Sequence, residues 1–319
     1  MIDSIENGLS LVQSWLFERA VEPLMYSLGL MAWLERAYEG LEWVVLGALQ
    51  VLLLYAILRP LEALWPAEPL TDRRAARVDV IYTLLHRLGV FPLLFFVVLT
   101  PLAFGASRLM RELDLTPFQL DDLGPGVTDI AWVSFLLYLV VLDFVDYWIH
   151  RAQHRFAWWW ALHALHHSQR QMTFWADNRN HVLDDLIRDA ILAAVALAIG
   201  AEPGQFVGIV LLTRAVQSLH HANIRLSFGP FDAALVSPVF HRRHHAIGSG
   251  HEGAHLGCNF AVLFPVWDVL FGTANFDRRI EPTGIRDQLP QPLGRKRDYG
   301  QGFWSQQWLG LKRLINHSA

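Results

Sequence analysis

The sequence predicts an all-α integral membrane protein, a bundle of about four membrane helices carrying a cytoplasmic helical cap. Three observations predict it. Hydrophobic residues make up 53% of the 319 residues and charged residues 18%, with mean hydropathy +0.26, a balance that suits a chain partly dissolved in lipid. Four apolar stretches are separated by short polar segments. Most of the fifteen histidines fall between His150 and His255, several of them at the three- and four-residue spacings of a helix face.

Residues 1–40 alternate apolar patches with Asp3, Glu6, Glu18, Glu22, Glu35 and Glu39, opposed only by Arg19 and Arg36. They read as one or two amphipathic helices lying at a membrane surface. Residues 41–127 hold the first membrane helices. Val44–Leu58 is apolar apart from Gln50, and Val80–Phe104 is interrupted by His86, Arg87, Pro92 and Pro101. Residues 128–275 form the histidine-bearing unit. It opens with the apolar stretch Val127–Ile149 and contains Leu186–Val216, broken at Gly200-Ala201-Glu202-Pro203-Gly204. Each arm of that last stretch is short for a span, so a helical hairpin dipping into the membrane is the reading. In the tail, 276–319, the Pro- and Gly-rich run 282–297 is loop. Phe303–Ile315 places Trp304, Trp308, Leu311 and Ile315 on one face of an interfacial helix.

The loop after the first span carries Arg59, Arg73, Arg74 and Arg77, and the loop after the second carries Arg108 and Arg111. The positive-inside rule makes the first loop cytoplasmic. The third span then brings His150 to the cytoplasmic side of the cytoplasmic membrane, and a hairpin at Leu186–Val216 keeps every later histidine there. The N-terminus lacks the basic region of a cleavable signal. A net charge of −4 argues against a nucleic-acid partner. Cys258 is the one cysteine, which excludes an intramolecular disulfide and argues against a thiolate cluster.

The third span ends in His150-Arg-Ala-Gln-His154, whose two imidazoles share a helix face. His163-Ala-Leu-His166-His167 follows, and the pattern returns as His241-Arg-Arg-His244-His245. His181 and His221 lie between. A lone histidine is usually a satisfied core group or a solvated one. Two HxxHH patterns and an HxxxH beside a membrane span are a metal-binding set. A structural zinc needs four ligands and a catalytic zinc three. Eight to ten histidines are enough for two ions, and an all-imidazole shell fits iron that activates O₂, as it also fits zinc, copper or nickel.

The ordered motifs Asp143-x-x-Asp146-Tyr147-x-x-His150-Arg151-x-x-His154, His163-x-x-His166-His167-Ser168, Arg179-x-His181, His221-x-Asn223, His241-x-x-His244-His245 and Asn259-Phe260 to Trp267-Asp268-x-Leu270-Phe271-Gly272-Thr273 resemble the fatty acid hydroxylase/sterol desaturase superfamily across roughly residues 130–275. The resemblance implies two iron ions, O₂ as co-substrate and attack on an unactivated C–H bond of a lipid. By motif position it implies His150, His154, His163, His166, His167, His181, His221, His241, His244 and His245 as ligands. Some relatives carry a histidine where this chain has Gln217, so one ion has fewer ligands or His220 compensates. His251 and His255 lie in a glycine-rich run and read as loop.

Asp146 and Asp143 fall one and two turns before His150, on its face of the helix. Carboxylates at that depth are costly and usually functional, and a hydrogen bond to a ligand imidazole is their natural role. Asp185, four residues after His181, invites the same reading. Asp268 reads as structural, and Trp158-Trp159-Trp160 as an interfacial belt. No dinucleotide fingerprint is present, so electrons are expected from a separate ferredoxin or reductase. The expected function is O₂-dependent lipid hydroxylation. A sterol or hopanoid-type desaturase or a lipid head-group hydroxylase is the nearest alternative. A metal transporter or storage protein is the alternative of another class, disfavoured because transporters place ligands at mid-membrane.

Overall fold

A computed structural model of the chain describes residues 2–91, 105, 108–114, 118–124, 126, 128–290 and 296–315. Among these residues the structure is helical, without a strand, and has two isolated antiparallel bridges, Pro66 to Ile224 and Ala246 to Thr283. The N-terminal segment is α1 (Ile2–Leu16), a π turn (Phe17–Val21) and α2 (Glu22–Ser27). Helix α3 then runs Leu34–Leu64, so the expected boundary at residue 40 falls inside it. Only 17% of its most apolar window is buried, and Leu52, Leu53, Tyr55 and Ile57 stand exposed. A helix apolar on all sides with its side chains facing outward suits lipid contact.

The second expected span differs. Helix α4 (Arg73–Arg87) starts at Asp72, whose Oδ1 accepts from the amides of Arg74 (3.1 Å) and Ala75 (3.0 Å). It ends before Gly89, whose φ of 86° is a conformation glycine takes at no steric cost. Asp79, Thr83, His86 and Arg87 form a polar stripe that is buried, so α4 turns this face into the protein. Residues 92–104 of that stretch lie outside the described residues. Helices α3 and α4 meet closely at Gly47, where a Cβ would stand 1.7 Å from the Arg87 carbonyl oxygen.

Helix α5 (Ala131–Arg155) is the second helix long and apolar enough to cross a membrane. The described residues thus contain two such helices where about four were expected. The Leu186–Val216 stretch is a hairpin of α7 (Val182–Ala198) and α8 (Pro203–His221), broken at Gly200. Its tip is docked: the Leu120 amide donates to the Ile199 carbonyl at 3.0 Å and the Tyr138 hydroxyl donates to it at 3.1 Å. Tyr138, Leu139 and Leu142 of α5 pack there with Ala196, Ile209, Val262 and Leu263.

After a one-residue break at Phe156 the chain enters α6 (Ala157–His167). Ser237 caps α9 (Pro238–His244), and α10 (Val266–Leu270) follows. Helix α11 (Phe303–Ile315) covers the range expected, with Trp304, Trp308 and Ile315 exposed. Its other face packs on α6, where Arg313 Nε donates to the Ala161 carbonyl at 3.2 Å. The ends of α5, α6, α8 and α9 therefore converge at the end of the hairpin away from its tip, each bringing histidines.

Candidate metal centre

Nine histidines gather into two groups. His150, His154, His163, His167 and His244 form one, and His166, His221, His241 and His245 the other; within each, the ring nitrogens lie within 4.8 Å of one another and every residue is buried. The two HxxHH motifs cross over between the groups. His163 and His167 go to the first group and His166 to the second. His241 and His245 go to the second and His244 to the first. Helix geometry explains the split: residues four apart differ by about 40° around the axis, and a residue three along falls about 60° on the other side. Each motif thus gives its outer pair to one group and its middle histidine to the other.

The donor set fits metal. Two nitrogens about 2.1 Å from a shared ion, at angles of about 90–110°, stand about 3.0–3.4 Å apart. His154 Nε2 and His167 Nε2 are 3.1 Å apart, as are His166 and His221, and His221 and His241; His241 and His245 are 3.2 Å apart. His163 Nε2 and His244 Nε2 are buried without a hydrogen-bond partner, a costly state that an ion would relieve. Burial first, and neighbouring imidazoles second, hold His166, His167, His241, His244 and His245 well below the ordinary histidine range. They are therefore neutral, the form that ligates.

The far sides of the rings fix which nitrogen faces inward. His150 Nδ1–H donates to the Phe260 carbonyl (2.8 Å), His244 Nδ1–H to Cys258 (2.7 Å) and His154 Nδ1–H to Leu256 (3.1 Å). A carbonyl can only accept, so each Nε2 keeps its lone pair for an ion. The three acceptors are alternate residues of one segment, and the Asn259 to Thr273 motif holds that segment in place. Asp268 accepts from the amides of Phe260 (2.8 Å) and Ala261 (2.9 Å), and the Asn259 amide donates to the Phe240 and Asn275 carbonyls. Asp143 continues this scaffold, accepting from Leu263, Phe264 and the Trp267 indole. In the second group His221 Nδ1–H donates to the Gln217 carbonyl at 2.8 Å.

Several expected site residues stand elsewhere. His181 is outside both groups. Its Nδ1 caps α7 by accepting from the Leu183 amide (3.2 Å), and its Nε2 donates to the Gln307 carbonyl (2.9 Å), with Gly310 of α11 pressed against the ring. Asp143 and Asp146 touch no ligand imidazole. Asp146 instead pairs with Arg188, whose Nε donates at 2.8 Å and Nη2 at 2.5 Å. Asp185 faces His86 Nε2 at 3.1 Å. The carboxylate that does reach a ligand is its neighbour Asp184, missed in the sequence because both acids follow His181 at helical spacings. Asp184 is 1% exposed and accepts from His163 Nδ1–H (2.9 Å), Gln153 Nε2 and the Trp159 indole (both 2.7 Å). Trp159 is thus an inward hydrogen-bond donor and not part of a belt.

His220 lies beside the second group, its ring 5.7 Å from His241, without joining it. His251 and His255 also stand outside both groups. Arg179 is structural: it donates to Asp79 (3.0 Å) and Ser168, fixing the end of α6 to α4. Asn223 is likewise structural, accepting from the Glu68 amide and donating to its carbonyl. Asp146→Asn is expected to lower the melting temperature, since a bidentate charged pair is lost, while metal bound per folded chain stays unchanged. Metal analysis on the folded fraction checks this, and a loss of metal would restore a ligand-orienting role to Asp146.

The family model described as Fatty acid hydroxylase matches residues 135–273, the segment from α5 to Thr273 that carries both groups. The chain is 28% identical over 262 residues to the ornithine lipid hydroxylase OlsE of Rhizobium tropici, covering 76% of this chain and 73% of that protein. It is 30% identical over 145 residues to the alkylglycerol monooxygenase of Danio rerio and 29% identical to that of Homo sapiens. Those two matches cover 46% of this chain and 31% of each of those proteins. No solved structure matches.

Proposed function

We propose that this chain, a member of the fatty acid hydroxylase superfamily through residues 135–273 and an oxidoreductase, uses two iron ions and O₂ to hydroxylate a C–H bond of a polar membrane lipid. The observation that carries the proposal is the pair of buried all-histidine groups, five and four ligands, placed side by side. The relatives support the substrate class, since their names specify hydroxylation of an ornithine lipid and oxygenation of alkylglycerols.

Iron held by these nine histidines would supply O₂ activation, chemistry that no side chain provides. The protein's own residues do the rest. The carbonyls of Leu256, Cys258 and Phe260 and the Asp184 carboxylate orient four imidazoles of the five-ligand group. Burial of every ligand excludes bulk water. A cavity of about 60 Å³ opens against His150, His163, His166, His221 and His241, giving co-substrate and lipid a common approach to both ions. Electrons come from a separate ferredoxin or reductase.

Protein purified anaerobically with ferrous salt is expected to hold two iron ions per chain and to consume O₂ in a lipid-dependent way. Lipid mass spectra of cells with and without the gene identify the reaction. Gain of one oxygen supports hydroxylation, and loss of two hydrogens would replace it with desaturation. We also propose that the histidine end of the bundle faces the cytoplasm, from the arginine asymmetry of the loops. Gln119 is exposed beside the hairpin tip, and Arg279 is exposed beyond the histidine motifs. Cysteines placed at the two are expected to react with a membrane-impermeant reagent from opposite sides. Labelling of both from one side would refute the orientation.

A further inference from the structure

We propose that the cavity opening off the two histidine groups binds a primary ammonium group, so that the lipid is recognised through a cationic or zwitterionic headgroup. This rests on the reading of the centre as a lipid hydroxylase and names the part of the lipid that enters. The inner cavity, about 60 Å³, adjoins a second of about 30 Å³. Asp177, Asn180, Asp185, Arg188 and Gln217 line both, so the two form one chamber beside the metal ligands. At about 10–15 Å³ per water-sized occupant, it has room for a small polar group of several heavy atoms.

The chamber wall is charged, which makes it a poor seat for a hydrocarbon chain and a good one for an ion. Five aspartates line it, Asp146, Asp177, Asp184, Asp185 and Asp189, against two arginines, Arg188 and Arg214. Most of the acids are satisfied within the protein. Asp146 holds Arg188, Asp177 accepts from Arg87 (2.9 Å) and Ser218 (2.6 Å), and Asp184 has its three donors. Asp189 has only long contacts, to Arg188 at 3.4 Å and Arg214 at 3.9 Å.

Asp185 is the exception. It is 7% exposed and sits at the junction of the two cavities. Its Oδ2 lies 3.1 Å from His86 Nε2, yet the angle is poor and neither atom makes a hydrogen bond. Asp185 lines both cavities, and a buried carboxylate oxygen without a donor is costly; an ammonium, with three donors and no acceptor, is the group that suits such a carboxylate. Burial, and after it the charge of Asp184, push the Asp185 carboxyl up to about 8 against the pull of Arg188 and Arg214, and an ammonium beside it would bring it down. An anionic headgroup is disfavoured by the excess of acids in the wall, where Arg188 is held by Asp146 and Arg214 faces Asp189 at 3.9 Å.

The test uses iron-loaded protein in detergent, kept anaerobic, and measures equilibrium binding of n-hexylamine, n-hexanol and hexanoate. The amine is expected to bind most tightly. Asp185→Asn is expected to weaken amine binding about 10–100-fold, the size of one charge-assisted hydrogen bond, and to leave hexanol binding and iron content unchanged. Equal binding of amine and alcohol, or an unchanged amine affinity in the variant, would overturn the proposal. So would loss of iron from Asp185→Asn, which would make the carboxylate a counter-charge for the metals. If that variant does not fold, Asp189→Asn is read in the same titration: selective loss of amine binding supports the proposal and no loss overturns it. Iron counted on each sample separates failure here from failure of the metal reading, since Asp185 and Asp189 belong to neither histidine group.

Discussion

His244→Ala is expected to lower bound iron from two ions per chain to about one and to abolish turnover. His244 contributes to the five-ligand group a buried Nε2 that no protein atom satisfies, and its Nδ1–H ties α9 to the Cys258 carbonyl. Alanine removes both. Four histidines remain in that group, but the middle residue of the His241 to His245 motif is also the link that brings α9 across to the histidines of α5 and α6. His166→Ala is the mirror experiment, leaving three ligands in the four-ligand group. Metal binding and folding are coupled, so each variant is assayed for iron per folded chain and for turnover. Either variant with full iron and full rate would remove its histidine from the ligand set. The informative control is His181→Ala. Its two nitrogens are committed to the Leu183 amide and the Gln307 carbonyl, so the variant is expected to keep two irons while α11 docks less firmly. Loss of one iron from it would return His181 to the centre.

Asp184→Asn comes next in expected effect. The carboxylate receives three buried donors, and one of them is the ring of a ligand, His163. An amide can still accept from Gln153 and Trp159 through its oxygen, but its NH₂ then faces His163 Nδ1–H. The ring must lose that bond or change tautomer, and either outcome weakens Nε2 as a ligand. Partners of this kind typically contribute about 10–100-fold to metal affinity or activity. Chelator competition on the purified protein is expected to show iron leaving the variant faster by a factor in that range, with expression near that of the wild type. Asp185→Asn, one residue along, is expected to leave iron retention unchanged. Equal retention in the wild type and Asp184→Asn would show that the Asp184 carboxylate serves packing of Trp159 and Gln153 alone.

The contrast between Asp184 and Asp185 illustrates how much of the site was legible in the chain. Sequence spacing marks acids near ligands. It does not say which of two adjacent carboxylates points at which helix, because neighbours on a helix differ by about 100° and the direction of the metal is set by packing of α7 against α5 and α6. The same limit explains Asp146. Its place one turn before His150 is a true statement about one face of α5, but Arg188, forty-two residues away on α7, reaches that face first. Arg179 and Asn223 were visible as motif members, and only their partners Asp79 and Glu68, from the segment before the histidines, reveal that they bind that segment to the site.

By itself the sequence determined the helical class, the break at Gly200 to Gly204, the C-terminal helix Phe303–Ile315 and the histidine motifs, because each rests on local periodicity or on a residue with restricted backbone geometry. The tertiary structure decided the rest. It divided nine histidines five and four, crossed the two HxxHH motifs between the groups, and set His181 aside under α11. It also turned the polar stripe of α4 inward, where His86 lines the charged chamber. These are long-range outcomes: a ligand's direction depends on the roll and position of its helix, and those are fixed by contacts that lie tens to hundreds of residues away in the chain.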